Sequence, residues 1–258
     1  MKKFYLNKDK TVICAMIGHG NIEETIIEGR HAEADGAQSL IIGIERLRPE
    51  FRNQESLKTM IDAFVTPVMV HYYRPDKWRE TPADDEERAR VLVEAAKAGA
   101  GMIDIIGDQF DPSKDERTFN AAAIEKQKAL IAEIHALGAQ VIMSSHPMRP
   151  MSQAEVTDQL RDFESRGADV VKIVTQTDTE EQFCEAIKTT IALNHELNVP
   201  FVFLSCGRFG YAHRIAGLSL GVAASFTVIG YDGWRSPVSP NPLVCNMRAV
   251  QDNTIWHL

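Results

Sequence analysis

Short apolar runs recur along this chain at regular intervals, and each is followed by a longer amphipathic segment. The runs lie at 11–18, 38–44, 67–73, 101–107, 140–145, 169–175, 200–206 and 224–230. Nearly continuous β-branched runs of this length are typical of parallel strands that are buried on both faces. We therefore predict eight parallel strands.

The segments between these runs have helical periodicity. They lie at 21–35, 53–64, 85–99, 120–138, 152–167, 179–197 and 211–221, and a last helix is predicted at 242–250 with Pro242 at its first position. Side chains suited to N-capping precede four of them: Asn53, Asn120, Ser152 and Thr179. Strict alternation of eight strands and eight helices indicates the α/β fold class and a single-domain (β/α)8 TIM barrel over residues 1–258. A doubly wound open sheet is the alternative.

The composition limits the kinds of partner that the chain can bind. Its net charge of −8 argues against binding to nucleic acid or anionic membranes, which needs a basic patch. No apolar run approaches the ~20 residues of a membrane span, and no apolar segment follows the N-terminal lysines as in a signal peptide. The four cysteines are scattered without CxxC spacing, which favours reduced thiols over a zinc site. We expect a cytoplasmic protein with no metal or other cofactor.

One predicted strand carries a charged residue at its centre. Lys172 lies within GADVVKIVTQ, residues 167–176. Moving an ammonium group into the interior costs several kcal/mol unless the group is paired or loses its proton. One interpretation is a lysine whose stem lies along the core while its amine reaches water. The other is an amine that the barrel holds for chemistry.

Polar residues follow the neighbouring strands, where active sites of this fold lie. His146, after the fifth strand, would lie beside Lys172 in the sixth. A lysine whose pKa is lowered by burial can form an imine with a ketone, and an adjacent histidine can carry protons. Arg214 could bind a carboxylate through a bidentate pair, although a surface position is its ordinary alternative. These residues predict a Schiff-base lyase or aldolase acting on a small anionic keto compound.

Two stretches carry a resemblance to a known family. The run VIMSSHPMRPMSQAEVTDQLRDFESRGADVVKIVTQT, residues 141–177, resembles the central segment of type I 3-dehydroquinate dehydratase, with its Ser-x-His, amphipathic helix and Gly-Ala-Asp-x-x-Lys-Ile. Residues 201–228, FVFLSCGRFGYAHRIAGLSLGVAASFTV, resemble the same family's substrate-arginine segment and final strand. A fainter resemblance extends over nearly the whole chain. It implies a (β/α)8 barrel that eliminates water through a lysine imine.

The resemblance also implies roles for individual residues. Lys172 would be the imine-forming lysine, His146 the acid–base histidine and Arg214 the carboxylate anchor. Arg74 falls where the family has an arginine ending the third strand, and a surface salt bridge is its alternative role. A homodimer is expected because dimers are common among barrels of this kind.

Several positions depart from the family pattern. The usual Glu-x-Arg of the second strand is absent from LIIGIER, where Glu45 and Arg46 are displaced, and Ile106 stands where the family has a glutamate that supports the histidine. PDKW, residues 75–78, replaces the usual Glu-Gly-Gly. In the closing loop, SPVSPNPL at 236–243, Ser239 and Asn241 are the nearest substitutes for the family's substrate ligands, with Ser236 an equal candidate. Loss of a carboxylate that holds the histidine should slow proton transfer unless another group replaces it.

These observations predict a slow 3-dehydroquinate dehydratase or a relative that acts on another cyclic or branched keto acid. Two other classes stay open. His19, Glu45, His71 and His146 fall near one barrel mouth and could bind a divalent metal. A ligand-binding relative without catalysis is the last alternative, which the retained lysine and histidine oppose.

Overall fold

Parallel strands form in all eight of the predicted apolar runs. The computed structural model describes residue 4 and residues 6–8, 10–74, 84–230 and 241–253. Within these residues the strands are β1 (Val12–Ile17), β2 (Ser39–Gly43), β3 (Val68–His71), β4 (Met102–Ile106), β5 (Gln140–Ser145), β6 (Val170–Gln176), β7 (Phe201–Cys206) and β8 (Ala224–Thr227). Nearly every strand residue is buried, because helices cover the outer face and side chains fill the interior.

The strands close into a ring. Each pairs in parallel with its sequence neighbour from β1 to β7, and β1 also pairs with β8. At the remaining junction, the N–H of Ala223, just before β8, donates to the carbonyl of Phe201 in β7 over 2.8 Å. The (β/α)8 barrel is therefore confirmed, and the open-sheet alternative is wrong because its end strands would not pair.

The helices alternate with the strands as predicted. In the described residues they are α1 (Ile22–Ala34), α2 (Gln54–Asp62), α3 (Asp85–Lys97), α4 (Ala121–Ala136), α5 (Gln153–Ser165), α6 (Glu180–Glu196), α7 (Gly210–Gly217) and α8 (Val244–Asn253). The four predicted N-cap side chains each accept a hydrogen bond from a first-turn backbone N–H. Pro242 does not begin α8, which starts two residues later because Val228 forms a bridge with Leu243 and accepts the N–H of Val244. None of these described helices is long and apolar enough to cross a membrane.

Two connections at the C-terminal ends of the strands each contain a residue with a positive φ. The long β4–α4 connection, residues 107–120, contains Glu116 with a φ of 50°. That left-handed conformation is uncommon for a residue other than glycine. Gly207 follows β7 with a φ of 80°, and a Cβ there would lie 2.3 Å from the Asp178 carboxylate. Only glycine fits this turn, which leads the chain from β7 into α7.

Candidate active site

The side chain of Lys172 projects into the barrel. Its Nζ lies 2.7 Å from the Tyr73 hydroxyl, after β3, and 2.8 Å from His146 Nε2, after β5. Asp104 of β4 contributes Oδ2 at 3.7 Å, and the Phe226 ring of β8 is centred 4.9 Å away. Because these groups come from four strands around the ring, the amine is enclosed by the barrel, and only 2% of the residue is exposed. The solvent-exposed interpretation of this lysine is wrong.

The surroundings of Lys172 lower its pKa although two carboxylates act against this shift. Burial lowers the pKa of the Lys172 ammonium, and the charge of Arg214 acts in the same direction. Asp104 and Glu116 oppose this shift by stabilising the charged amine. The net direction is downward, which makes a nucleophilic amine available at a lower pH than for an exposed lysine.

His146 is held by a carboxylate, that of Glu116, which the sequence analysis did not identify. Glu116 Oε2 accepts hydrogen bonds from the backbone N–H and from Nδ1 of His146, both at 2.8 Å. Since a carboxylate only accepts, Nδ1 carries a proton, and the other ring nitrogen, Nε2, faces Lys172. Burial would raise the pKa of Glu116, but the adjacent His146 and its hydrogen bonds hold that pKa below its ordinary value.

Glu116 therefore replaces the family glutamate that Ile106 cannot supply. The sequence left open whether another group takes over from that glutamate, and the β4–α4 connection supplies one by folding back over the barrel mouth. The left-handed backbone at Glu116 directs the side chain toward His146 from 30 residues away in sequence. Its motif, SKDER, is an ordinary charged loop, so no local pattern marks it.

Tyr73 is the second group that the sequence comparison missed. Its ring stacks on His71 at 4.1 Å between centroids and meets the edge of His146 at 4.8 Å. Its hydroxyl lies 2.6 Å from Asp104 Oδ2, and Ser144 Oγ donates to the other oxygen of that carboxylate over 2.5 Å. Burial raises the pKa of Tyr73 well above its ordinary value, and the negative charge of Asp104 raises it further.

Arg214 is buried in the last turn of α7 and has no carboxylate partner among the described residues. Its Nε donates to the Ser205 carbonyl over 3.0 Å, and one terminal nitrogen contacts Cys206 Sγ at 3.8 Å. The other terminal nitrogen, Nη1, has no hydrogen-bond partner in the described chain, although the residue is only 4% exposed. A buried guanidinium of this kind is expensive unless a ligand pairs with it, so the arrangement suits an anionic substrate.

The other predicted substrate residues lie in different surroundings. Arg74 is partly buried, and its terminal nitrogens bind Asp108 at 2.5 Å and Asp85 at 3.0 Å. A substrate contact would have to compete with these two carboxylates. Asn241 is buried, with 4% of its surface exposed. Ser239, like its alternative Ser236, lies outside the described residues.

The four residues that the sequence analysis considered for a metal site do not come together as one set of ligands. Glu45 is buried against His71, with Oε2 3.2 Å from Nδ1, and it also accepts the backbone N–H of Tyr73. His19 lies 3.2 Å from Glu28. Across the described residues, no group of three or more His, Cys, Asp and Glu side chains forms a ligand set. The metal-dependent alternative therefore gains no support from this part of the chain.

A buried primary amine lies beside an imidazole at the C-terminal ends of the strands, where active sites of this fold are found. Fold and site together are those of a (β/α)8-barrel enzyme. A family model described as type I 3-dehydroquinase matches residues 13–240, and the chain belongs to this family. The resemblance seen in the sequence is thereby confirmed.

Individual relatives agree with this assignment at low identity. The chain is 23% identical to a 3-dehydroquinate dehydratase of Klebsiella pneumoniae, over 98% of this chain and 96% of that one. The 3-dehydroquinate dehydratase structure from Geobacillus kaustophilus covers 98% of this chain, and 95% of its own length is matched, with a TM-score of 0.80 and 16% identity. A type I enzyme from Clostridium difficile, solved with covalently modified comenic acid, gives a TM-score of 0.79 at 15% identity over 97% of this chain and 94% of its own.

Proposed function

We propose that this chain is a Schiff-base-forming dehydratase that removes water from 3-dehydroquinate, the substrate named for its relatives. The observation that carries the proposal is the 2.8 Å contact between Lys172 Nζ and His146 Nε2 inside the barrel. Lysine imine chemistry needs both groups at the substrate: the amine forms the imine at the carbonyl carbon, and the imidazole moves the proton at the adjacent carbon.

The site supports each step of such an elimination. The amine of Lys172 forms an imine with the substrate ketone, and the protonated imine withdraws electrons from the neighbouring carbon. His146, oriented by Glu116, removes a proton from that carbon and later delivers a proton to the departing β-hydroxyl. Arg214 binds the substrate carboxylate through the terminal nitrogen that has no partner in the described chain. All these groups belong to the chain, so the proposed chemistry uses no cofactor.

A second candidate keeps this chemistry but changes the keto acid. It is favoured by Glu45, which pairs with His71 and so is committed within the protein instead of facing a substrate hydroxyl. A site that loses hydrogen-bond partners for a substrate hydroxyl can shift its specificity by orders of magnitude. The homodimer expected from the sequence stays a prediction, which sedimentation equilibrium tests.

The activity is tested by incubating the protein with 3-dehydroquinate and following the enone absorbance of 3-dehydroshikimate. Lys172→Met is the matched control, since it keeps a long apolar stem and removes the amine. We expect turnover by the wild-type protein and none by the variant. Absence of signal at high protein concentration would reject this substrate and leave the second candidate, for which other cyclic and branched keto acids are assayed in the same way.

A further inference from the structure

A hydroxyl and a carboxylate form a hydrogen-bonded chain that begins at the Lys172 amine. Lys172 Nζ donates to the Tyr73 oxygen over 2.7 Å, and the Tyr73 hydroxyl donates to Asp104 Oδ2 over 2.6 Å. Ser144 binds the second oxygen of Asp104. The amine is thus between two proton acceptors, the imidazole of His146 and the Tyr73–Asp104 pair.

The protein holds Tyr73 in this position by contacts on several sides. His71 stacks on the Tyr73 ring with an interplanar angle of 19°, and His146 contacts it edge-on. Glu45 binds both the His71 ring and the Tyr73 backbone N–H. Glu45, which follows β2, therefore helps to hold Tyr73 in position. A phenol that is neutral at physiological pH can accept one proton while donating its own, and burial keeps Tyr73 in that form.

We propose that Tyr73 and Asp104 form a proton relay for imine formation at Lys172, distinct from the proton transfer at carbon that His146 performs. This inference rests on the imine chemistry of the proposed function. It assigns Tyr73 as a catalytic residue, because its hydroxyl contacts the reacting nitrogen, and Asp104 as the group that stores the proton.

The relay accounts for each proton in imine formation. The Lys172 ammonium first passes a proton to the Tyr73 oxygen while the proton of Tyr73 moves to Asp104, which leaves a neutral amine and a neutral acid. The amine forms a C–N bond to the substrate carbonyl carbon, and His146 moves one proton from nitrogen to oxygen to give the carbinolamine. Asp104 then returns its proton through Tyr73 to the carbinolamine hydroxyl. The C–O bond breaks, water leaves, and the nitrogen pair forms the protonated imine.

The test measures imine formation apart from overall turnover. Wild-type protein and Tyr73→Phe are mixed rapidly with 3-dehydroquinate, quenched with borohydride at successive times, and analysed by intact mass. Positioned acid–base groups contribute roughly 10²–10⁴-fold to rate, so we expect labelling of Tyr73→Phe to be about 100-fold slower. Tyr72→Phe is the matched control: Tyr72 is buried, and its hydroxyl accepts from Arg52 at 2.7 Å, outside the site. The labelling rate of this variant should equal that of the wild type.

A second variant keeps the test decisive if Tyr73→Phe does not fold. Asp104→Asn retains the shape of the side chain but cannot store the proton, and it should slow labelling to a similar extent. Labelling of either folded variant at the wild-type rate overturns the relay while the proposed function stands. If the wild-type protein neither turns over nor labels, the proposed function fails and the relay fails with it.

Discussion

Replacing Glu116 separates two effects of this carboxylate on His146. In Glu116→Gln, the amide oxygen can still accept both hydrogen bonds that Oε2 now receives at 2.8 Å, so the imidazole keeps its orientation and loses only the negative charge. In Glu116→Ala, both the charge and the hydrogen bonds are lost. Comparison of the two variants therefore separates charge stabilisation from orientation.

The magnitudes follow from the geometry. A hydrogen bond to a charged group contributes about 1.5–3 kcal/mol and a neutral one about 0.5–1.5 kcal/mol, so the Gln variant loses about 1.4 kcal/mol of imidazolium stabilisation. This corresponds to an approximately tenfold fall in kcat. Loss of a group that orients a catalytic histidine costs more, because the ring can rotate and exchange tautomers. We expect kcat of Glu116→Ala to fall about 100-fold or more.

Both variants are assayed at saturating 3-dehydroquinate by the enone absorbance of the product. Asp115→Asn is the control, since it removes a negative charge from the adjacent residue, which pairs with Arg149 and not with His146. That variant should retain wild-type kcat. The reasoning is refuted if Glu116→Ala also retains wild-type kcat, or if Asp115→Asn loses as much activity as Glu116→Gln.

Two further predictions concern α7. Arg214→Lys keeps the positive charge but loses the planar pair of donors, so KM should rise about 10–100-fold with a smaller change in kcat. Arg208→Lys, at an exposed position, is the control and should keep the wild-type KM. An unchanged KM in Arg214→Lys would show that Arg214 does not bind the substrate. Burial lowers the pKa of His213 to about 4 from an ordinary 6.5, so the folded chain stays unprotonated where the unfolded chain takes up a proton. The contribution of His213 to the free energy of unfolding has its full value above pH 6.5 and falls by about 3 kcal/mol as the pH drops to about 4. Denaturant unfolding should therefore show a stability difference between the wild type and His213→Gln that narrows by this amount over the same range, and parallel pH profiles would contradict the assignment.

The sequence was sufficient to predict the barrel, since parallel strands buried on both faces leave long apolar runs and the helices between them carry N-cap side chains. It also placed Lys172 beside His146, because residues at the ends of adjacent barrel strands are neighbours in space. Hydrophobic periodicity does not predict the conformation of the β4–α4 connection, which is neither helix nor strand. The position of Glu116 depends on a left-handed residue in an irregular loop.

The contacts of side chains that follow the strands could also not be predicted from the sequence. Tyr73 follows a strand that ends early, at His71, and its hydroxyl reaches the lysine across the barrel. Glu45 lies in a short 3₁₀ helix after β2, which turns it toward His71. When motifs are compared position by position, a residue that has moved to another position counts as missing. The structure shows what each such side chain contacts.

The most direct test of the account is chemical trapping at Lys172. Borohydride added during turnover of 3-dehydroquinate should reduce the imine and leave a stable adduct, which peptide mass mapping should locate on Lys172 and on none of the exposed lysines, such as Lys58 or Lys126. A protein that forms product while Lys172 stays unmodified under these conditions would contradict the covalent mechanism.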